Sequence, residues 1–235
     1  MRTIRLRAAL AGAGLAAFAG LAIGVVVPRH ISNEASIGAT VRKYILAHPE
    51  IISEALERLR IGSDRAAIET PFPGASAGNA QGDVTLVVFT DYNCPYCRAT
   101  AGELDRLIAS DPKLLVIWRE LPVLGPESET AAIAALAAAR QNKYPAFHRA
   151  LFAGNHPDQA GITAAARSAK LDPARFANDR AAPEVAQEIS GNLALARRLQ
   201  ITGTPFFVIG NHTYEGAIGY DALRAAITAA RKTET

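Results

Sequence analysis

Cys94 and Cys97 are the only cysteines in 235 residues, and they stand three apart in the stretch FTDYNCPYCRAT that runs from Phe89 to Thr100. Three chemistries use such a pair. A structural staple gains little here, because the loop-closure entropy a disulfide removes grows with loop length and this loop is minimal. A structural zinc site needs four ligands, commonly as two pairs. No second CxxC exists, and His30, His48, His148, His156 and His212 form no HxxxH pair, so no metal is expected. A redox dithiol remains. Its position supports it, since a cysteine at a strand-to-helix turn sits where free backbone N–H groups and the positive end of the helix dipole stabilise a thiolate. On that geometry Cys94, at the helix start, is the more exposed sulfur that attacks or is attacked. Cys97, one turn in, resolves the mixed disulfide. Pro95 suits the first helical position, and Tyr96 points from the helix end toward whatever docks there.

The elements that must hold this pair are legible around it. DVTLVVFTD contains a β-branched run, Val84 to Thr90, that reads as a buried strand. Pro95 to Ser110 reads as a helix with Leu104, Leu107 and Ile108 inward, and LLVIWREL, residues 114–121, as a second strand. Helices follow over 127–140, 144–152, 163–169, from Asp172-Pro173 onward, and over 183–199. GTPFFVIGNHTYEGA supplies two strands around a turn at Gly210-Asn211, and Tyr220 to Arg231 closes the chain as a helix. Residues 69–83, rich in Pro, Gly and Ser, read as a linker or loop. Of the polar neighbours, Asp91 is expected at a solvated strand end and Glu120 as a structural group or a proton relay. Trp118 is expected in the core, and His148 and His156 at the surface or in packing.

Ahead of this lies an arm. Ile37, Val41, Tyr44, Ile45, His48, Ile52, Leu56 and Leu59 recur at spacings of three and four, so residues 36–61 read as two short helices, broken at Pro49, with one apolar stripe. That stripe packs either on its own domain or on copies of itself. Further forward, MRTIRLR precedes the uncharged run Ala8 to Val27, the form of a secretory signal over residues 1–28. At twenty residues the run is also long enough to stay as a membrane anchor. Both readings export everything after Pro28. Arg2, Arg5 and Arg7 account for the whole net charge of +3, and no basic stripe with interleaved aromatics appears, which excludes nucleic acid as a partner.

Strand, CPYC, helix, a helical insertion and then Gly203-Thr204-Pro205 roughly 110 residues on resembles the DsbA-like branch of the thioredoxin superfamily, from about residue 69 to 231. The resemblance implies an α/β, thioredoxin-like fold with an inserted helical subdomain at about 126–200, preceded by the helical arm. It implies that Cys94 and Cys97 cycle as a redox-active disulfide with no other cofactor. It also implies that Pro205 is a cis-proline facing them, with Thr204 and Tyr96 against the substrate. The arm, through YILAHPEIISEALERL, is similar to the oligomerisation segments of ScsC-like periplasmic disulfide isomerases. The implied function is disulfide exchange with unfolded or misoxidised exported proteins in the periplasm. Its membrane redox partner would be either quinone-linked or DsbD-like. Tyr96 stands where DsbA-type oxidases typically carry histidine, and a neutral ring holds a thiolate less well than a histidinium. Together with the arm, this favours an isomerase or reductase over an oxidase. A Cu(I)-binding carrier would also use soft thiolates, but Met1 is the only methionine.

Overall fold

A sheet buried on both faces forms the centre of the molecule. The computed structural model describes residues 31–154 and 156–233, with side chains from Ser36 to Lys232. The signal or anchor segment 1–28 lies outside them. Among the described residues no helix is long and apolar enough to cross a membrane.

The chain divides into one unit ending at His48 and a second from Pro49 to Thr235. The first contains α1 (Ile31–Ala47), on which Ile37, Val41, Tyr44 and Leu46 are exposed. The second opens with α2 (Glu50–Glu69), capped by Pro49. The apolar stripe of α2 divides along its length. Ile52, Leu56 and Leu59 are exposed, whereas Ile61 and Ile68 are buried.

Five strands form one sheet in the order β1-β3-β2-β4-β5: β1 (Ser76–Gly78), β2 (Val84–Thr90), β3 (Leu114–Glu120), β4 (Phe206–Ile209) and β5 (His212–Glu215). The central pair β2 and β3 is parallel, and every other pairing is antiparallel. Val84, Leu86 and Val88 with Leu114, Val116 and Trp118 face one core, shared with α3 (Pro95–Ser110), α4 (Pro126–Ala139) and α9 (Tyr220–Thr233). The alternate residues Val87, Phe89 and Ile117 face a second core. That core is closed by Ile61 and Ile68 of α2 and by Leu195 and Ala196 of α8 (Pro183–Arg198).

Between β3 and β4 the chain inserts α4, α5 (Tyr144–Ala153), α6 (Gln159–Ser168), α7 (Pro173–Arg180) and α8. In α4, Ala131, Ala132, Ala134, Ala135, Ala137, Ala138 and Ala139 are all buried. Small side chains on every face let neighbouring helices approach its backbone closely, which is how an alanine-rich helix becomes a packed centre rather than a surface one.

Two expectations change. Residues 69–83 are not wholly a linker, because β1 lies within them and pairs with β3. Its approach is pinned at Gly74, at φ +87°, where a Cβ would stand 2.2 Å from the Ala139 carbonyl oxygen. The arm's helix also continues past 61 to Glu69. Its C-terminal end is held by buried Arg119, which donates to the carbonyls of Ala67, Ile68 and Thr70 and pairs with Glu188 at 2.9 Å. A cation at a helix C-terminus satisfies carbonyls that have no intrahelical partner.

Candidate active site

Strand β2 ends at Thr90, and the chain turns through Asp91, Tyr92 and Asn93 into α3. Cys94 is the N-cap of that helix, in extended conformation at φ −82° and ψ 117°, and Pro95 occupies its first turn. The Arg98 N–H closes the first turn on the Cys94 carbonyl at 3.1 Å. Both cysteines are free thiols. Cys94 Sγ donates to the Thr204 carbonyl oxygen at 3.1 Å, and the Thr204–Pro205 bond is cis. The dithiol and the loop before β4, 110 residues apart, are therefore in direct contact.

The expected difference in exposure is small. Cys94 is 5% exposed and Cys97 3%, because the Thr204 carbonyl covers the first sulfur. Tyr96 is by contrast 64% exposed, on the outer side of the first turn. Burial pushes the Cys97 thiol up to about 12, while hydrogen bonding from the Asp91 backbone and from Thr204 and Thr90 acts the other way. Cys97 is thus held as a thiol.

Asp91 departs from expectation. Its carboxylate is buried, not solvated. Oδ1 accepts from the Asn93 N–H at 2.8 Å and the Ser128 hydroxyl at 2.6 Å, and Oδ2 accepts from the N–H groups of Val123 and Leu124 at 2.9 and 3.0 Å. Its own carbonyl takes the Cys94 N–H at 3.1 Å. Val123, Leu124 and Ser128 were not singled out by sequence reasoning. The available signal was Pro122, two residues past the end of β3, with two apolar residues beyond it.

Glu120 and His148 are both buried, which puts His148 on the packing side of its expectation. Glu120 pairs in register with Thr90 and so projects onto the same sheet face, toward the core that holds Cys97. Tyr144 donates its hydroxyl to Glu120 Oε1, and Tyr92 Oη lies 2.8 Å from His148 Nδ1. Burial pushes the Glu120 carboxyl up to about 8, against the hydrogen bonds of Tyr144 and Tyr92. Burial also drives His148 down to about 3. Both are therefore neutral at pH 7. Trp118 is in the core, as expected, and packs against Tyr144 and His148.

Residues 85–228 match the family model described as DSBA-like thioredoxin domain, and residues 34–62 match the copper resistance protein ScsC N-terminal domain. Among solved structures, a thioredoxin-like oxidoreductase from Silicibacter pomeroyi DSS-3 is 42% identical with a TM-score of 0.65, covering 68% of this chain and 94% of that one. The catalytic domain of Proteus mirabilis ScsC is 29% identical at TM-score 0.68, over 74% and 98% of the two chains. A periplasmic thioredoxin-like protein from Salmonella enterica serovar Typhimurium is 30% identical at TM-score 0.66, over 72% and 95%. The Na(+)/H(+) antiporter NhaA 3 of Salinispora tropica is 26% identical over 95% of this chain, which spans only 38% of that protein's length.

Proposed function

Because this chain belongs to the DSBA-like thioredoxin domain family, we propose that it is an exported thiol–disulfide oxidoreductase acting as isomerase or reductase on misoxidised proteins of the periplasm. One observation carries the reading: Cys94 caps α3 with its sulfur against the Thr204 carbonyl, and Cys97 waits one turn deeper. Cys94 as thiolate attacks a client disulfide, forming a mixed disulfide and releasing one client sulfur as thiolate, which takes a proton from water. In isomerisation another client thiolate then displaces Cys94, with no net redox change. In reduction Cys97 gives up its proton and displaces the second client sulfur. This leaves the Cys94–Cys97 disulfide, which needs two electrons and two protons from a dithiol donor of the DsbD-like kind. Likeness to a periplasmic thioredoxin-like protein supports the compartment. Tyr96, where a DsbA-type oxidase would carry histidine, and the arm support the direction.

Reactivation of scrambled ribonuclease in a glutathione buffer tests this directly, and the full chain is expected to raise the rate well above the buffer alone. Rapid oxidation of reduced ribonuclease with no gain on the scrambled form would reverse the direction to an oxidase. Tight Cu(I) binding with neither activity would make the dithiol a carrier.

The arm makes a separate expectation. Ile37, Val41 and Tyr44 are each at least half exposed on one helix, and a contiguous apolar stripe of this kind marks an association surface. Light scattering is expected to give a mass two or more times that of one chain. Serine at these three positions should return the mass to a single chain. An unchanged mass would leave the stripe without this role.

A further inference from the structure

The helical insertion carries a groove none of whose residues belongs to the dithiol site. It measures about 320 Å³ and runs between α6 and α7, both of which lie against α4. Ala166, Leu171, Pro173 and Phe176 line it, and Leu171 and Phe176 are buried, so its floor is apolar. Arg167 and Arg180, each in the last turn of its helix, stand on its walls. The Arg180 guanidinium carbon lies 5.9 Å from the centroid of the Phe176 ring, which holds that cation over the floor. The carboxylates of this region are each engaged elsewhere. Asp158 and Asp172 cap α6 and α7, accepting the N–H groups of Gly161 and Arg175 at 2.8 and 2.7 Å. Asp179 pairs with Arg140 at 2.8 Å and with Arg175 at 3.4 Å, and Glu184 pairs with Arg140 at 3.4 Å. Neither Arg167 nor Arg180 has an ion-pair partner among the described residues.

We propose that the groove between α6 and α7 binds a medium-chain anionic amphiphile of the alkyl carboxylate class, its chain on Leu171 and Phe176 and its carboxylate on Arg180, in the field of Arg167. The site is independent of the oxidoreductase reading. Charge complementarity selects the occupant. A solvated arginine alone is ordinary surface, and an apolar groove alone does not say what covers it. Together they ask for one ligand with an apolar body and a negative head, since the guanidinium fork pairs a carboxylate through two parallel hydrogen bonds. Concave, mostly apolar sites with a few charged groups are the form that small-molecule pockets take, and this one is at the small end of their range of about 300–1,000 Å³. A peptide fits less well. The uncharged polar side chains of the groove are Gln159 and Thr163, which bond each other at 3.4 Å and leave little for the N–H and C=O groups of a backbone.

Titration calorimetry of the full chain with sodium decanoate, kept below the concentration at which it self-associates, tests the site. Saturable binding of one decanoate per chain is expected. It should be about tenfold tighter than binding of 1-decanol, which lacks the charge. It should also be about tenfold tighter than binding of hexanoate, which lacks four methylenes for the floor. Arg180→Gln should weaken decanoate about tenfold and leave decanol unchanged. Ala177→Glu is the second variant. Ala177 is exposed and lines the groove, so the substitution disturbs no core, and the new carboxylate competes for Arg180 and repels the ligand. It too should lose decanoate at least about tenfold, with the thermal melt of the free protein unchanged. No saturable uptake of decanoate overturns the site. Decyltrimethylammonium binding as tightly as decanoate overturns the choice of an anion and leaves the groove merely apolar. Full affinity for decanoate in both variants places the ligand elsewhere and overturns the assignment to this groove.

Discussion

Serine at Cys97 is expected to stop reductive turnover and leave the protein joined to any client that has no further free thiol. Cys97 is 3% exposed, and with its thiol pushed up to about 12 only about one molecule in 10⁵ carries it as thiolate at pH 7. Such a sulfur cannot compete for an external disulfide. In the proposed mechanism its use is internal: once Cys94 is in a mixed disulfide, Cys97 is the neighbouring nucleophile one turn along the same helix. Intramolecular attack of this kind has effective molarities of about 10⁵ M and above when the geometry is right. Millimolar glutathione cannot replace it, so Cys97→Ser should reduce the rate of client release by at least about 10³-fold. Non-reducing electrophoresis and intact mass would show a stable adduct of the protein with one client chain, cleared by dithiothreitol. Cys94→Ser should show no adduct. An adduct through Cys97 in that second variant would exchange the roles of the two sulfurs and undo the assignment made from the helix start.

The parts legible in the sequence are those whose determinants are neighbours in the chain. CPYC, Pro95 in the first turn and the β-branched run before it specify strand, turn and helix within some fifteen residues, and α3 forms over Pro95–Ser110 as read. Helices over 183–198 and 220–233 follow from periodic apolar residues in the same way. What escaped depends on distant partners. β1 has no β-branched residue in Ser76–Gly78, and it becomes a strand because β3 offers an edge and the Ala75 carbonyl accepts the Trp118 N–H. Asp91 reads as an ordinary turn carboxylate until the loop at 123–124, thirty-odd residues on, brings two N–H donors to it. The arm's stripe has one period along its whole length, yet only its end, at Ile61 and Ile68, meets the second core. Periodicity states that a face is apolar. It does not state what covers it.

The buried pair Glu120 and His148 gives stability a pH optimum with assignable limbs. Glu120 is raised to about 8, so between the unfolded carboxyl value near 4.5 and pH 8 the native state holds a proton that the unfolded state has lost. Its contribution is complete below that window and disappears as pH rises through it. His148 works in the opposite sense. Depressed to about 3, it is neutral in the native state while the unfolded imidazole takes a proton below about 6.5. Its contribution is complete above 6.5 and lost as pH falls toward 3. From 4.5 to 6.5 the two slopes oppose each other and largely cancel. Above 6.5 Glu120 acts alone, and at about 1.4 kcal/mol per pH unit the fall to pH 8 is about 2 kcal/mol. Glu120→Gln keeps an oxygen for the Tyr144 hydroxyl but has no proton to lose. Urea unfolding at pH 6.5, 7.2 and 8.0 should therefore show a declining free energy for wild type and a flat one for the variant, with the acid limb below 4.5 kept in both. Slope is the decisive quantity, because the new amide has its own unpaired N–H groups and shifts the absolute value at every pH alike. A wild-type curve as flat as the variant's would mean that Glu120 is ionised in the folded protein, with a cation or water at its second oxygen, and the neutral core beneath the dithiol would have to be abandoned.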